Sequence, residues 1–257
     1  KYVTVIIDLT PTRTRTGPSR LLAVVEGRSK QAFKTWLEAQ TDSFRNRVEI
    51  VAMDGFTGYK SAAVEAIDTG TAVMDPYHVV ALVGDKLDRC RQRIQQETLG
   101  HRGRSGDPLY GIRRVARTRA SLLTEKQQHR LAKVLADERH VAFEVTWSIY
   151  QDVIDAYQAP DPAEGKKIMT RVIDAIKAGV PAGLDELRSL GQTMKRRRDD
   201  ILAFFDHPGT SNGPTEAING LLEHLRGTAR GFRSIVNYVA RCLLDAGGFR
   251  PLIHSLL

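Results

Sequence analysis

The stretch TSNGPTEAINGLLEHLRGTARGFRS, residues 210–234, opens with turn residues and continues as a helix with Glu216 in its first turn. Arg226, Arg230 and Arg233 follow further along. At about 100° per residue, Ile218, Leu221, Leu222, Leu225 and Ala229 gather on one side, the core face. Glu216, Asn219, Gly220, Glu223, Gly227 and Arg230 gather on the other. Glycine inside a helix costs about 1 kcal/mol against alanine. Two on one face suggest close approach by another backbone or by a ligand. A solvated face with a capping acid at the positive end of the helix dipole is the competing reading.

Two further acids end short apolar runs: Asp54 in VEIVAMD (48–54) and Asp75 in TAVMD (71–75). A carboxylate at the end of a buried strand must be hydrated, paired or bound to a metal. A lone one often caps a helix. Several converging would suit Mg²⁺, which prefers oxygen ligands and keeps several waters, and such ions assist phosphodiester displacement. In DPYH (75–78), Asp75 either caps the helix opening at Pro76 with His78 packed nearby, or the two support a metal or phosphate site. Ser148 and Cys90 have no adjacent acid–base partner, so nucleophilic catalysis has no support.

The elements that must position these groups read in a clear order. YVTVIIDL (2–9) and LLAVVEG (21–27) are strands of a hairpin joined through PTRTRTGPS (11–19), a turn or loop. Phe33, Trp36 and Leu37 mark an amphipathic helix over 29–40. The strand 48–54, a helix over 59–67 and the strand 71–75 follow. From 76 to 209 every signal is helical, with a basic Gly-rich loop (HRGRSGDPLYG, 101–111) carrying Arg102 and Arg104. This order predicts an α/β fold in which all four strands share one mixed sheet, interrupted by a large all-α body over 76–209 and completed by helices over 210–257. Sites in such sheets form at the carboxyl ends of the parallel strands, where Asp54 and Asp75 stand.

Composition narrows the function classes. The 257 residues are 42% hydrophobic, enough for a real core. A formal charge of +8 favours a polyanionic partner. Cys90 and Cys242 lie far apart without CxxC spacing, which excludes a zinc ribbon and a disulfide framework and predicts buried thiols. No apolar run is long enough to span a membrane, and no secretion leader is read, so a cytoplasmic location without membrane contact is expected. Beginning at Lys1 and entering a strand at once, the sequence reads as part of something longer.

VEIVAMDGFTGYKSAA, AVMDPYHVVAL and SNGPTEAINGLLEHLRGTARGFRSIVNY resemble the DDE transposases of bacterial insertion sequences, in particular the ISL-three family, and QETLGHRGRSGDPLYGIRR is similar to the same subgroup. The resemblance covers essentially the whole chain. It implies an RNase H-like core with a helical insertion before the last catalytic acid. It implies that Asp54 is the second catalytic acid and Glu216 the third, both ligands of Mg²⁺ or Mn²⁺, with Asp75, His78 and Asn219 as candidate supports. Arg226, Arg230, Arg233, Arg102 and Arg104 would meet DNA phosphates, at transposon ends and target, in an oligomeric complex. The family's first acid lies on a strand preceding the one read here as YVTVIIDL. The resemblance implies that this strand and its Asp, and the N-terminal zinc-binding and helix-turn-helix region, are missing from residues 1–257; Asp8 does not match the motif. Metal-dependent strand cleavage and transfer is the expected activity. An inactive DNA-binding or oligomerising fragment is the alternative, and a hydrolase of small phosphoesters a third.

Overall fold

The computed structural model describes residues 2–249. They divide into two compact units, one made of the residues up to Asp75 and those from Gly209 on, the other of Pro76–Pro208. Lys1 and residues 250–257 of the spans read from sequence lie outside the described residues.

The first unit runs β1 (Val3–Asp8), α1 (Thr10–Arg13), β2 (Arg20–Glu26), α2 (Lys30–Glu38), α3 (Asp42–Asn46), β3 (Ile50–Met53), α4 (Thr57–Ala66) and β4 (Thr71–Met74). The second runs α5 (Pro76–Leu99), α6 (Arg113–Ala116), α7 (Glu125–Leu135), α8 (Val141–Gln158), α9 (Pro162–Ala178), α10 (Asp185–Arg196) and α11 (Arg198–Asp206), with two short 3₁₀ turns. Back in the first unit follow α12 (Gly213–Thr228) and α13 (Ile235–Ala246).

The four strands do not form the single sheet expected from their order. β1 and β2 make an antiparallel ribbon, with Val3 opposite Glu26 and Asp8 opposite Arg20. β3 and β4 make a separate parallel ribbon, Ile50 beside Thr71 and Met53 beside Met74. Among the described residues β1 and β3 each keep one edge unpaired. The ribbons nevertheless share a layer: Ile6 of β1 and Val51 and Met53 of β3 pack with Phe33, Leu37, Ala62, Ala63 and Ile67. The opposite face of the first ribbon packs Leu21, Val24, Val3, Val5 and Ile7 against Ile218 and Leu222 of α12 and Tyr238 and Cys242 of α13. Period-two alternation in β1 explains this division, since successive side chains point to opposite faces.

Local chemistry sets most boundaries. Ser29 accepts the Ala32 N–H and starts α2, and Ser234 accepts the Asn237 N–H and starts α13. Residues 11–19, read as a turn or loop, begin with a helical turn. Pro11 is preset for a first turn, and Asp8 Oδ1 accepts the Thr10 N–H at 2.9 Å. In the second unit Thr124 and Gln127 form a reciprocal capping box on α7. Its core is dense: Leu87, Leu109, Ile112, Phe143, Met169, Ile173, Leu190, Met194 and Ile201 are all nearly inaccessible.

Candidate functional site

A cleft of about 2250 Å³ opens in the first unit, larger than the ~300–1,000 Å³ of a small-ligand pocket. Every residue of β1, Val3 to Asp8, and every residue of β3 through Asp54 lines it, whereas β2 contributes only Arg20 and Leu22, and β4 nothing. Consecutive strand residues face opposite ways. A cleft touched by all of them therefore meets the strand edges, and it runs between the unpaired edges of β1 and β3. Backbone alternation agrees. Tyr2 O accepts from Gly27 N toward β2, and Met53 O accepts from Asp75 N toward β4. The groups of Val3 and Val5, and of Ile50 and Ala52, then point into the cleft.

Ion pairs at the two ends fix the strand directions. Arg28, just beyond the carboxyl end of β2, has Nη2 4.0 Å from Asp54 Oδ2 at the carboxyl end of β3. Arg13, beyond the carboxyl end of β1, has Nη1 3.9 Å from Glu49 Oε2, just ahead of β3. β3 therefore runs with β2 and against β1.

Asp54 is one-quarter exposed, and its Oδ1 accepts the Phe56 N–H at 2.8 Å. That bond fixes one oxygen and leaves the other to Arg28. Asp75, read from DPYH either as a helix cap or as a support for a metal or phosphate site, is buried. Its Oδ2 accepts the Asn212 N–H and the Ser211 hydroxyl, the latter at 3.3 Å. It so ties the end of β4 to the start of α12. Because Met53 and Met74 are register partners, Asp54 and Asp75 leave adjacent strands side by side. Glu216 lies one turn into α12, its N–H bonded to Asn212 O at 3.1 Å, and its side chain is exposed. Its neighbours Thr215 and Asn219 line the cleft. Among the described residues no group of three His, Cys, Asp or Glu side chains is placed to hold a metal. His78 is half-buried beside the Tyr77 ring in the second unit.

α12 buries Ile218 and Leu222 as the wheel requires, but Leu221 and Ala229 are exposed. Of the readings offered for Gly220 and Gly227, close approach by another backbone is not seen among the described residues: a side-chain carbon added at either meets nothing within 4 Å. The helix ends at Thr228, and Arg230 stands beyond it in the left-handed region at φ 52°. Arg226, Arg230 and Arg233 are exposed, as are Arg102 and Arg104 in the second unit.

Electrostatically the cleft is cationic. Its four acids each have an arginine: Asp8 with Arg20, Glu49 with Arg13, Asp54 with Arg28, Glu223 with Arg226. Arg47 and Arg233 also line it and add uncompensated charge. Asp8 is held below the usual carboxylate range; burial pushes it up, but the Thr10 hydroxyl and amide and the Arg20 guanidinium outweigh that. Both cysteines are buried, and burial pushes Cys90 up to about 11 and raises Cys242, so neither is a nucleophile.

Sequence reasoning missed Arg28 and Phe56. Gly27, at φ +100°, was the available signal: a left-handed residue ends β2 abruptly and turns the chain just before Arg28.

A sequence profile described as a transposase, of the DDE type and the ISL-three group, matches residues 1–242. No curated protein and no solved structure compared with the chain matches it.

Proposed function

Because the chain belongs to the ISL-three family of transposases, we propose that its first unit is the catalytic part of an enzyme that cleaves and joins DNA strands, with Asp54 and Glu216 as two of its acids. One observation carries this reading. β3 delivers Asp54 to the mouth of a cationic cleft, beside the strand end whose Asp75 anchors the head of α12, four residues before Glu216. Asp75 thus acts as a positioning group rather than a ligand.

The donor chemistry fits a divalent ion of the magnesium type. Asp54 offers a carboxylate oxygen toward the cleft, held only loosely by Arg28, and Glu216 offers another on an exposed first turn. Such an ion would activate the attacking oxygen and neutralise the leaving one. The chain's own cations do the rest. Arg47, Arg226 and Arg233 hold the phosphate backbone at the cleft and Arg230 adds to them; Arg102 and Arg104 give the helical unit a basic loop of its own for DNA phosphates. An RNase H-like core, which the family resemblance implies, would account for the cleft. A further strand running against β1 and with β3 would pair both open edges, bring the four strands into one sheet and carry the remaining acid beside Asp54.

The runner-up reading is a DNA-binding fragment without cleavage. Open edges on both β1 and β3 favour it for residues 1–257 alone. Asp8 does not stand in for a third acid. It closes the far end of β1 from the Arg28–Asp54 contact, five residues or roughly 17 Å away.

The test uses supercoiled plasmid with Mg²⁺ or Mn²⁺. Residues 1–257 are expected to bind without nicking. The protein carrying the further strand is expected to nick, and to lose nicking but not binding in Asp54→Asn and Glu216→Gln. Near-normal cleavage by either variant would sink the assignment. Nicking by residues 1–257, abolished by Asp54→Asn, would instead overturn the need for a further strand.

A further inference from the structure

Asp54 differs from the other acids of the cleft in how it is held. One oxygen is fixed by the Phe56 N–H at 2.8 Å. The other faces the Arg28 guanidinium at 4.0 Å, the longest of the four acid–arginine pairs at the cleft. That separation is too long for the paired, two-bond geometry of a committed arginine–carboxylate bridge. Arg28 is also more than half exposed. Its carbon centre stands 5.9 Å from the Phe56 ring centroid, within the range where an aromatic face steadies a cation. The arginine therefore has a second resting contact that does not depend on the carboxylate. Phe56 itself is held by an edge contact with Tyr59, ring centroids 4.9 Å apart.

We propose that Arg28 is the displaceable counter-ion of Asp54, neutralising the carboxylate when no divalent cation is bound and turning its guanidinium to a DNA phosphate when one is. The proposal rests on Asp54 as a metal ligand. It follows from the competition of two cations for one oxygen. An exposed pair at this distance is weak, so a divalent ion displaces it readily. The released guanidinium stays beside the cleft on the Phe56 ring, where its preferred partner is a phosphate. Arg28 is then a positioning residue whose removal has opposite effects on two ligands. A merely structural residue has no such signature.

The experiment uses the full chain with Mn²⁺ alone and then with a short DNA duplex. Line broadening of the Phe56 amide by Mn²⁺ reads occupancy at Asp54, and fluorescence anisotropy reads duplex binding. In Arg28→Gln, Mn²⁺ affinity is expected to rise about two- to fivefold, the scale of an exposed ion pair. Duplex affinity measured with saturating Mn²⁺ is expected to fall by about the same factor. Arg28→Lys should return both toward the parent values. Arg47→Gln, which removes a lining cation with no acid beside it, should weaken duplex binding and leave Mn²⁺ affinity alone. Unchanged or weaker Mn²⁺ binding in Arg28→Gln overturns the proposal, as does unchanged duplex binding. Absence of broadening at Phe56 in the parent chain overturns the metal reading of Asp54 and this inference with it. That failure is visible before any variant is made.

Discussion

The two units solve burial in opposite ways. Pro76–Pro208 is built of helices closed on one another, and it holds nearly all of the largest inaccessible side chains, from Leu87 to Ile201. The first unit contributes only Val73 to that group. Its apolar residues fall instead into two smaller clusters, one on each side of the first ribbon, and a cleft exposes the edges of β1 and β3. Helices satisfy their backbone internally, so a helical unit closes from its own sequence. A sheet needs a partner at each edge. The proposed site lies in the unit with the open strand edges.

Matched truncations test that contrast most severely. Leu190→Ala, in α10 with a fully inaccessible side chain, should cost about 3–5 kcal/mol, because rigid neighbours leave a cavity. Leu222→Ala, in α12 at the wall of the cleft, should cost about 2–3 kcal/mol, because one side can relax into open space. Denaturant unfolding, followed separately by Trp147 in the helical unit and Trp36 in the other, measures both. Equal losses would show that the cleft wall is as tightly packed as the helical core.

A somewhat smaller effect is expected from charge. Arg197 and Asp200, in the helical unit, form an ion pair with both side chains about 5% exposed or less. Asp200→Ala strands a buried guanidinium and should cost about 3 kcal/mol. Replacing both, as Arg197→Met with Asp200→Leu, should recover most of the loss, since apolar packing substitutes well for a buried pair. No recovery in the double variant would mean that the pair also anchors the α10–α11 junction through its other polar contacts.

The contrast also explains what could be read from the sequence. Helical periodicity is local, so Phe33, Trp36 and Leu37 announce α2, and the long helical run after Asp75 is evident. Strand identity was legible too, within a residue or two, because β-branched runs between turn residues are local signals. Which strand edges pair is not local. The order of elements suggested one sheet, and only the structure shows β1 and β3 unpaired across the cleft. Asp75 was legible as a strand-end acid, but its partner Asn212 lies 137 residues away. The α12 glycines were correctly singled out as unusual. Among the described residues nothing packs against them. Arg28 carries no periodic signal at all, and its meaning comes from the fold bringing Asp54 to it.

The smallest expected effect concerns Asp8, at the carboxyl end of β1. If it belongs to the hairpin rather than the site, its substitution should touch stability alone. Asp8 Oδ2 meets Arg20 Nη2 at 2.9 Å and its Oδ1 accepts the Thr10 N–H, so Asp8→Asn should cost no more than about 1 kcal/mol, the range of a partly exposed pair. Its folded-state pKa lies below the ordinary aspartate value. A carboxylate depressed on folding contributes stability above its unfolded pKa and loses that contribution as pH falls through the folded value. The parent hairpin should therefore loosen below about pH 4, while Asp8→Asn should show no acid-dependent step of this origin. Amide exchange at Ile7 and Leu21, register partners at this end of the ribbon, reads the difference once corrected for intrinsic rates. DNA binding and Mn²⁺ broadening at Phe56 should stay unchanged in Asp8→Asn. A change in either would move Asp8 from the hairpin into the site and break the distinction between the two ends of the cleft.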